Sequence, residues 1–168
     1  MKVIFLDIDG VLNADDDFGG RSKPNPRIHG ILGVSRSKVK RLKRILDETG
    51  AKIVLVSSWK YDYHNYITGH ENVWGKYLRN KLRKDKVDIM DDTCRYDRSA
   101  GQNRGLEIKL WLEETTEQIE SWIVLDDEIF CDYTTYDIPK HLVKTKDATG
   151  LTEELANKAI ELLNKEII

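Results

Sequence analysis

Residues 3–13 read Val-Ile-Phe-Leu-Asp-Ile-Asp-Gly-Val-Leu-Asn. The apolar run Val3–Leu6 has the length and β-branching of a buried strand, and it stops abruptly at two carboxylates, Asp7 and Asp9, followed by Gly10. In an open α/β sheet the ligand crevice lies beyond the carboxyl ends of the strands. Acids at that point stand on a rigid platform and face the place where chemistry is done. Their two-residue spacing puts both side chains on roughly the same side of a backbone still partly extended. Gly10 permits a tight change of direction. A calcium loop of the EF-hand type is excluded, because it needs a Glu at loop position twelve and Phe18 stands there when Asp7 is counted as position one. A solvated turn after an edge strand stays open on these residues alone.

The rest of the chain alternates strands and helices without internal repeats. Ile53–Val56 is a second buried strand, and Gly50 before it suits a helix C-terminus. Between the two strands Val39, Leu42, Ile45 and Leu46 recur at helical spacing, with Ser35 or Ser37 as N-cap. A helix around Val73–Arg83 and a strand near Val87–Met90 follow. Leu106–Leu112 fits both a strand alternation and an i,i+4 helix. Gly105 before it and the polar tail 113–118 favour the helix. Residues 121–126 form another strand ending in acids, residues 141–144 a short last strand, and from Thr152 a helix begins with Glu153 and Glu154 in its first turn. The βαβα order predicts an α/β fold: a Rossmann-like, doubly wound parallel sheet with helices on both faces.

At 168 residues the chain has the size of one ordinary domain, expected to span 1–168. Residues 13–34, rich in Asp, Gly and Pro, form a flap or loop insertion after the first strand, and no interval has room for a large folded cap. No apolar run reaches the length of a membrane span, and no signal peptide precedes the first strand. Cys94 and Cys131 are the only cysteines and lack metal-ligand spacing, so a reducing, cytoplasmic setting is expected. The net charge of −2 hides an asymmetry: residues 1–86 carry 18 Lys and Arg against 10 Asp and Glu, and residues 87–168 carry 9 against 19. That contrast suits an anionic partner, and equally suits solvated helix faces of differing sign. No obligate protein partner is evident.

Three later segments bear on a phosphate site. The second strand ends in Ser57-Ser58-Trp59, where a hydroxyl and the amides opening a helix can bind phosphoryl oxygens. Arg104, with Lys109 a little further on, places a cation near the start of a predicted helix, where by itself it is more often surface charge. Ile123-Val124-Leu125-Asp126-Asp127 again ends a strand in paired acids. Two carboxylate clusters at neighbouring strand ends repel each other unless a cation neutralises them, and hard oxygen ligands suit Mg²⁺.

The landmarks Asp7/Asp9, Ser57, Arg104 or Lys109, and Asp126/Asp127, in that order, resemble the haloacid dehalogenase superfamily of phosphatases over nearly the whole chain. The resemblance implies Asp7 as nucleophile and Asp9 as general acid and base. It also implies Ser57 as the phosphate-binding hydroxyl with Ser58 as substitute, and Arg104 or Lys109 as the cation. Mg²⁺ would be held by Asp7, the backbone at Asp9, and Asp126 or Asp127. Gly10, Ser58, Arg21 and Lys23 are expected to meet the substrate, with Arg27 and His29 near the entrance. A closer likeness is to small domains of this superfamily in bacterial and phage proteins, some fused to RNA-repair modules. It rests on Asp9-Gly10-Val11-Leu12-Asn13, Ser57-Ser58-Trp59, Arg104-Gly105-Leu106-Glu107-Ile108 and Thr149–Thr152. These likenesses imply a Mg²⁺-dependent phosphomonoester hydrolase working through an aspartyl-phosphate, with nucleic-acid 3′-phosphate ends as substrate. A small-molecule phosphatase acting on nucleotides or sugar phosphates is the alternative. A non-catalytic binding module on the same fold is the reading from another class. The basic segments Arg36–Arg44 and Lys76–Lys86 would serve a polymer. Trp59, Tyr61, Tyr63 and Tyr66 either stack bases or pack the core.

Overall fold

The computed structural model of the chain describes residues 1–14, 33–97 and 102–165. Most of the expected flap at 13–34 therefore lies outside the described residues, as do Arg21, Lys23, Arg27 and His29.

Five strands, β1 (Lys2–Leu6), β2 (Lys52–Leu55), β3 (Ile89–Asp92), β4 (Ser121–Asp126) and β5 (Leu142–Lys144), form one sheet in the order β3-β2-β1-β4-β5. Every pairing is parallel. Among the described residues five α-helices accompany them: α1 (Arg36–Thr49), α2 (Lys60–Ile67), α3 (Val73–Arg83), α4 (Arg104–Glu114) and α5 (Glu153–Asn164).

Because side chains alternate along a strand, the same short runs build two cores. Ile4 pairs in register with Ile53 and Ile123, and Leu6 with Leu55 and Leu125. These six join Leu42 and Ile45 of α1, Leu78 and Leu82 of α3, and Ala156, Ala159 and Leu163 of α5 on one face. Val3, Phe5, Val54 and Val124 point to the other face, against Ile108 and Trp111 of α4 with Tyr96, Tyr133 and Ile138. Burial on both faces is why these strands read as continuous apolar runs rather than alternating ones.

The expected helix signals are used. Gly50 ends α1 at φ 70°, its N–H donating to the Leu46 carbonyl at 2.8 Å. Thr152 caps α5, its hydroxyl accepting from the Leu155 N–H at 3.2 Å. Ser35 occupies the N-cap of α1 without a side-chain cap bond, its hydroxyl lying 3.0 Å from that of Ser37. The ambiguous segment at 106–112 is helical.

Two elements differ from expectation. The third strand runs over Ile89–Asp92 rather than Val87–Met90. Val87 instead closes the turn after α3, its N–H reaching the Leu82 carbonyl at 3.1 Å, behind Lys86 at φ 57°. The strand admits acids because it is an edge: Asp91 accepts from the Trp111 indole at 2.7 Å and from Arg95 at 2.9 Å. The helix α2 had no signal of its own. It buries only Lys60 and Tyr63, too little to leave a periodic apolar stripe.

Candidate active site

Neighbouring strand ends place the polar residues that follow them along one edge of the sheet. The Asp7 N–H donates to the Leu125 carbonyl at 2.9 Å, and the Val56 N–H to that of Leu6 at 3.0 Å. Asp7, Ser57 and Asp126 thus sit side by side, all buried.

Arg104, the first residue of α4, enters this cluster. Its Nη1 lies 2.6 Å from Asp126 Oδ2 and 3.3 Å from Asp7 Oδ1, and its guanidinium stacks 4.2 Å over the Phe130 ring. Asp126 is further fixed by the Tyr133 hydroxyl at 2.7 Å and by the Glu128 N–H at 2.9 Å. The start of α4 is held by Asp132, whose Oδ2 accepts from the Leu106 N–H at 2.9 Å. Gly105 is needed there, since a Cβ on it would lie 3.0 Å from the Asp132 carboxylate. Lys109 takes no part in this cluster: it is half exposed, pairs with Glu113 at 2.7 Å and stands over Tyr136. Of the two expected cations, only Arg104 meets the acids, because it lies at the helix tip while Lys109 points off the solvent side.

Asp127 joins the group from above. A ligand oxygen from each of Asp7, Asp126 and Asp127 falls within 4.8 Å of the others. Gly10, at φ 65°, passes so close that a Cβ would lie 2.3 Å from Asp127 Cγ. The turn is locked by the Thr145 hydroxyl, which donates to the Gly10 carbonyl at 2.7 Å, and by the Gly10 N–H, which donates to Asn13 Oδ1 at 2.9 Å. Burial raises two of these acids. Burial pushes the Asp7 carboxyl up to about 7, against the pull of Arg104 and with added repulsion from Asp126. Burial and then the Asp126 charge push Asp127 up to about 6. Burial alone would lower the Arg104 guanidinium, yet Asp7 and Asp126 hold it above its ordinary value. Three hard carboxylates gathered in one place, two of them pushed up chiefly by burial, suit an oxygen-seeking divalent cation.

Asp9 stands apart from that triad. Its Oδ1 accepts from Asn13 Nδ2 at 2.7 Å and its Oδ2 from the Trp59 indole N–H at 2.9 Å. Its side chain is therefore committed to Asn13 and Trp59 rather than to the other acids. Ser57 is buried and hydrogen-bonded to Asp7, and its hydroxyl accepts from the Trp59 N–H at 3.4 Å. Ser58 is exposed at the mouth of the site.

Behind these groups lies a buried tie that the sequence did not advertise. Lys60 Nζ bonds Glu107 Oε2 at 2.6 Å, and the Thr93 hydroxyl donates to the same oxygen at 2.6 Å. It joins the loop after β2, which carries Ser57, to the helix that carries Arg104. Sequence reasoning likewise missed Asn13, Tyr133 and Thr145 as parts of the site, and the hold of Trp59 on Asp9. Only Asn13, inside the first motif, carried a local signal: an amide three residues past Gly10 is placed to bond the turn.

The basic segments fare differently. On α1, Arg41 and Arg44 pair with Glu153 of α5 at 2.9 and 3.2 Å, and Arg36 pairs with Asp85. Lys43 bonds Asp47. That face of α1 is partly paired with α5. On α3, Arg79 and Lys81 lie over the Tyr66 and Tyr77 rings, and Lys76 is exposed. Trp59 and Tyr63 are buried in the core, and Tyr61 is partly exposed.

The model of the HAD domain in Swiss Army Knife RNA repair proteins matches residues 3–156. The chain belongs to that family. No curated protein and no solved structure gives a significant match.

Proposed function

We propose that this haloacid dehalogenase-type domain is a Mg²⁺-dependent phosphomonoester hydrolase with Asp7 as nucleophile. The observation that carries the reading is the division of labour among the strand-end acids. Asp7 lies beside Arg104 and within the Asp126/Asp127 group, whereas Asp9, two residues on, is held separately by Asn13 and Trp59.

In the first step Asp7 attacks phosphorus in line, the P–O bond to the leaving group breaks, and the leaving oxygen takes a proton from Asp9. In the second, Asp9 accepts a proton from water as that water attacks the aspartyl-phosphate. The phosphorus–Asp7 bond then breaks and inorganic phosphate leaves. Each Asp9 oxygen already accepts one N–H and keeps a further lone pair for the proton it carries. Arg104 stands where it can neutralise charge on the phosphoryl oxygens and keep Asp7 aligned, and Ser57 and the Gly10 turn line the same edge. Asp7 and Asp127 are the side chains to hold Mg²⁺, since Asp126 already meets Arg104, Tyr133 and the Glu128 amide. The ion supplies charge stabilisation on the phosphoryl oxygens.

The proposed substrate is a 3′-phosphate at a nucleic-acid end. Support comes from the RNA-repair context of the family, from the absence of a folded cap among the described residues, and from the cations of α3. No described helix is long and apolar enough to cross a membrane, and both cysteines are free thiols, as a cytoplasmic setting maintains them. The decisive experiment follows phosphate release from a 3′-phosphorylated oligoribonucleotide and from the matching mononucleotide, with Mg²⁺ or excess chelator, in wild type and Asp7→Ala. Metal-dependent release lost in Asp7→Ala is expected, with kcat/KM for the oligonucleotide falling steeply as salt rises. Turnover by Asp7→Ala would remove the nucleophile. Equal, salt-insensitive kcat/KM for both substrates would make the small-molecule phosphatase the better reading.

A further inference from the structure

A cavity of about 290 Å³ is lined by Asp9, Ser58, Trp59, Asp62 and Trp74, with none of Asp7, Asp126 and Asp127 in its lining. It is a built feature rather than a surface dent. Asp62 Oδ1 accepts from Asn72 Nδ2 at 2.8 Å, and Asn72 Oδ1 in turn caps α3 by accepting from the Trp74 and Gly75 N–H groups at 3.0 and 2.9 Å. Helices α2 and α3 touch so closely that a Cβ on Gly75 would lie 2.2 Å from the Asp62 carbonyl. Trp74 is thereby set edge-to-face against Trp59 at 6.0 Å and 80°, and Trp59 is the residue whose indole holds Asp9.

We propose that this cavity is the leaving-group subsite and that it takes a single nucleoside, the one whose hydroxyl oxygen is released from phosphorus. The inference rests on the phosphatase reading, because the acid must protonate the leaving oxygen, and whatever carries that oxygen then lies on the Asp9 side. Its chemistry follows from the walls. The half-buried Trp74 indole offers flat apolar area suited to a planar ring. Among the described residues the lining carries two carboxylates and no cation; Asp62 can accept N–H and O–H donors of a base or ribose, and the next phosphate of a strand would lie outside the cavity. A volume near the low end of small-ligand pockets, about 300–1,000 Å³, fits one nucleoside and no more. Trp74 and Asp62 are then the specificity-determining residues, and Trp59 is a positioning residue acting through Asp9.

The test uses the full chain with Mg²⁺, adenosine 3′-monophosphate and glycerol phosphate as substrates, and adenosine alone as a binding probe read by tryptophan fluorescence. Wild type should prefer the nucleotide in kcat/KM and bind adenosine. Trp74→Ala should lower kcat/KM for the nucleotide by roughly 5- to 100-fold, the range one base–aromatic stack supplies, mainly through KM, and should affect glycerol phosphate much less. Trp74→Phe, which keeps a stackable ring, should restore most of the loss, an outcome that a merely misfolded variant would not give. Hydrolysis of both substrates with equal kcat/KM and no adenosine binding would overturn the subsite while leaving the phosphatase intact. Hydrolysis of neither would remove the phosphatase reading and the subsite with it.

Discussion

The indole N–H of Trp59 donates to Oδ2 of Asp9 at 2.9 Å, so a residue just past the second strand holds the acid that follows the first. With Asn13 on the other oxygen, the Asp9 carboxylate has one fixed orientation, separate from the acids around Arg104. If Asp9 is the general acid, Asp9→Asn should slow hydrolysis of alkyl phosphates by about 10²–10⁴-fold. An aryl phosphate with a good leaving group should lose less. A series of substrates of graded leaving-group pKa measures this, and equal losses across the series would assign Asp9 a structural role.

Asp126 and Asp127 should separate on substitution. Asp127→Asn is expected to raise the Mg²⁺ concentration needed for half-maximal activity while leaving the fold largely unchanged. Asp126→Asn removes the partner of buried Arg104 and Tyr133 and should cost about 3–5 kcal/mol of stability, as breaking a buried ion pair does. Metal titration of activity and denaturant unfolding of both variants give the comparison. A reversed pattern would make Asp126 the metal-facing acid.

Gly10 is constrained twice, by its positive φ and by Asp127 against its α-carbon. Gly10→Ala should lose about 1–2 kcal/mol from the left-handed conformation alone, and more from displacing Asp127. Unfolding in urea and metal-dependent activity should both decline. Wild-type Mg²⁺ dependence in this variant would show that the Asp127 contact is dispensable.

Metal-free stability should carry the signature of Asp7. Its carboxyl is raised to about 7 in the fold, chiefly by burial, from an ordinary value of 3.8. Between those values the folded state binds more protons than the unfolded one, so stability from this group is fully present below about 4 and is lost as pH rises through about 7. In chelator, the Tm of Asp7→Asn relative to wild type should therefore increase from pH 4.5 to pH 8. Added Mg²⁺ should raise the wild-type Tm more than that of the variant at pH 8. A Tm difference independent of pH would refute the burial effect on Asp7.

The strand runs Val3–Leu6, Ile53–Val56 and 121–126, and the acids or hydroxyl closing each, were legible because a buried parallel strand must be apolar on both faces and its polar end residue has few reasons to be there. Gly50 and Thr152 marked helix ends for equally local reasons. The α/β class and the strand-end acids Asp7, Asp9, Asp126 and Asp127 followed from such signals, whereas Ser57 was assigned through the family resemblance. The third strand slipped by two residues because, at an edge, ladder bonds and side-chain partners for Asp91 outweigh hydrophobicity, and α2 had no apolar stripe to show.

What spacing along the chain left open, only tertiary contact decided. Arg104 and Lys109 are both cations near the start of one helix, and the choice between them depends on which points at the strand ends. The α1 arginines look like a free basic face until α5 brings Glu153 against them. Trp59 reads as a core residue or a stacking platform, yet its indole orients Asp9. Sequence alone determined which residues stand at the ends of buried strands, since burial acts on each strand locally. The fold decided which of those groups meet, because hydrogen bonds and ion pairs of a few ångströms depend on how separate segments are brought together.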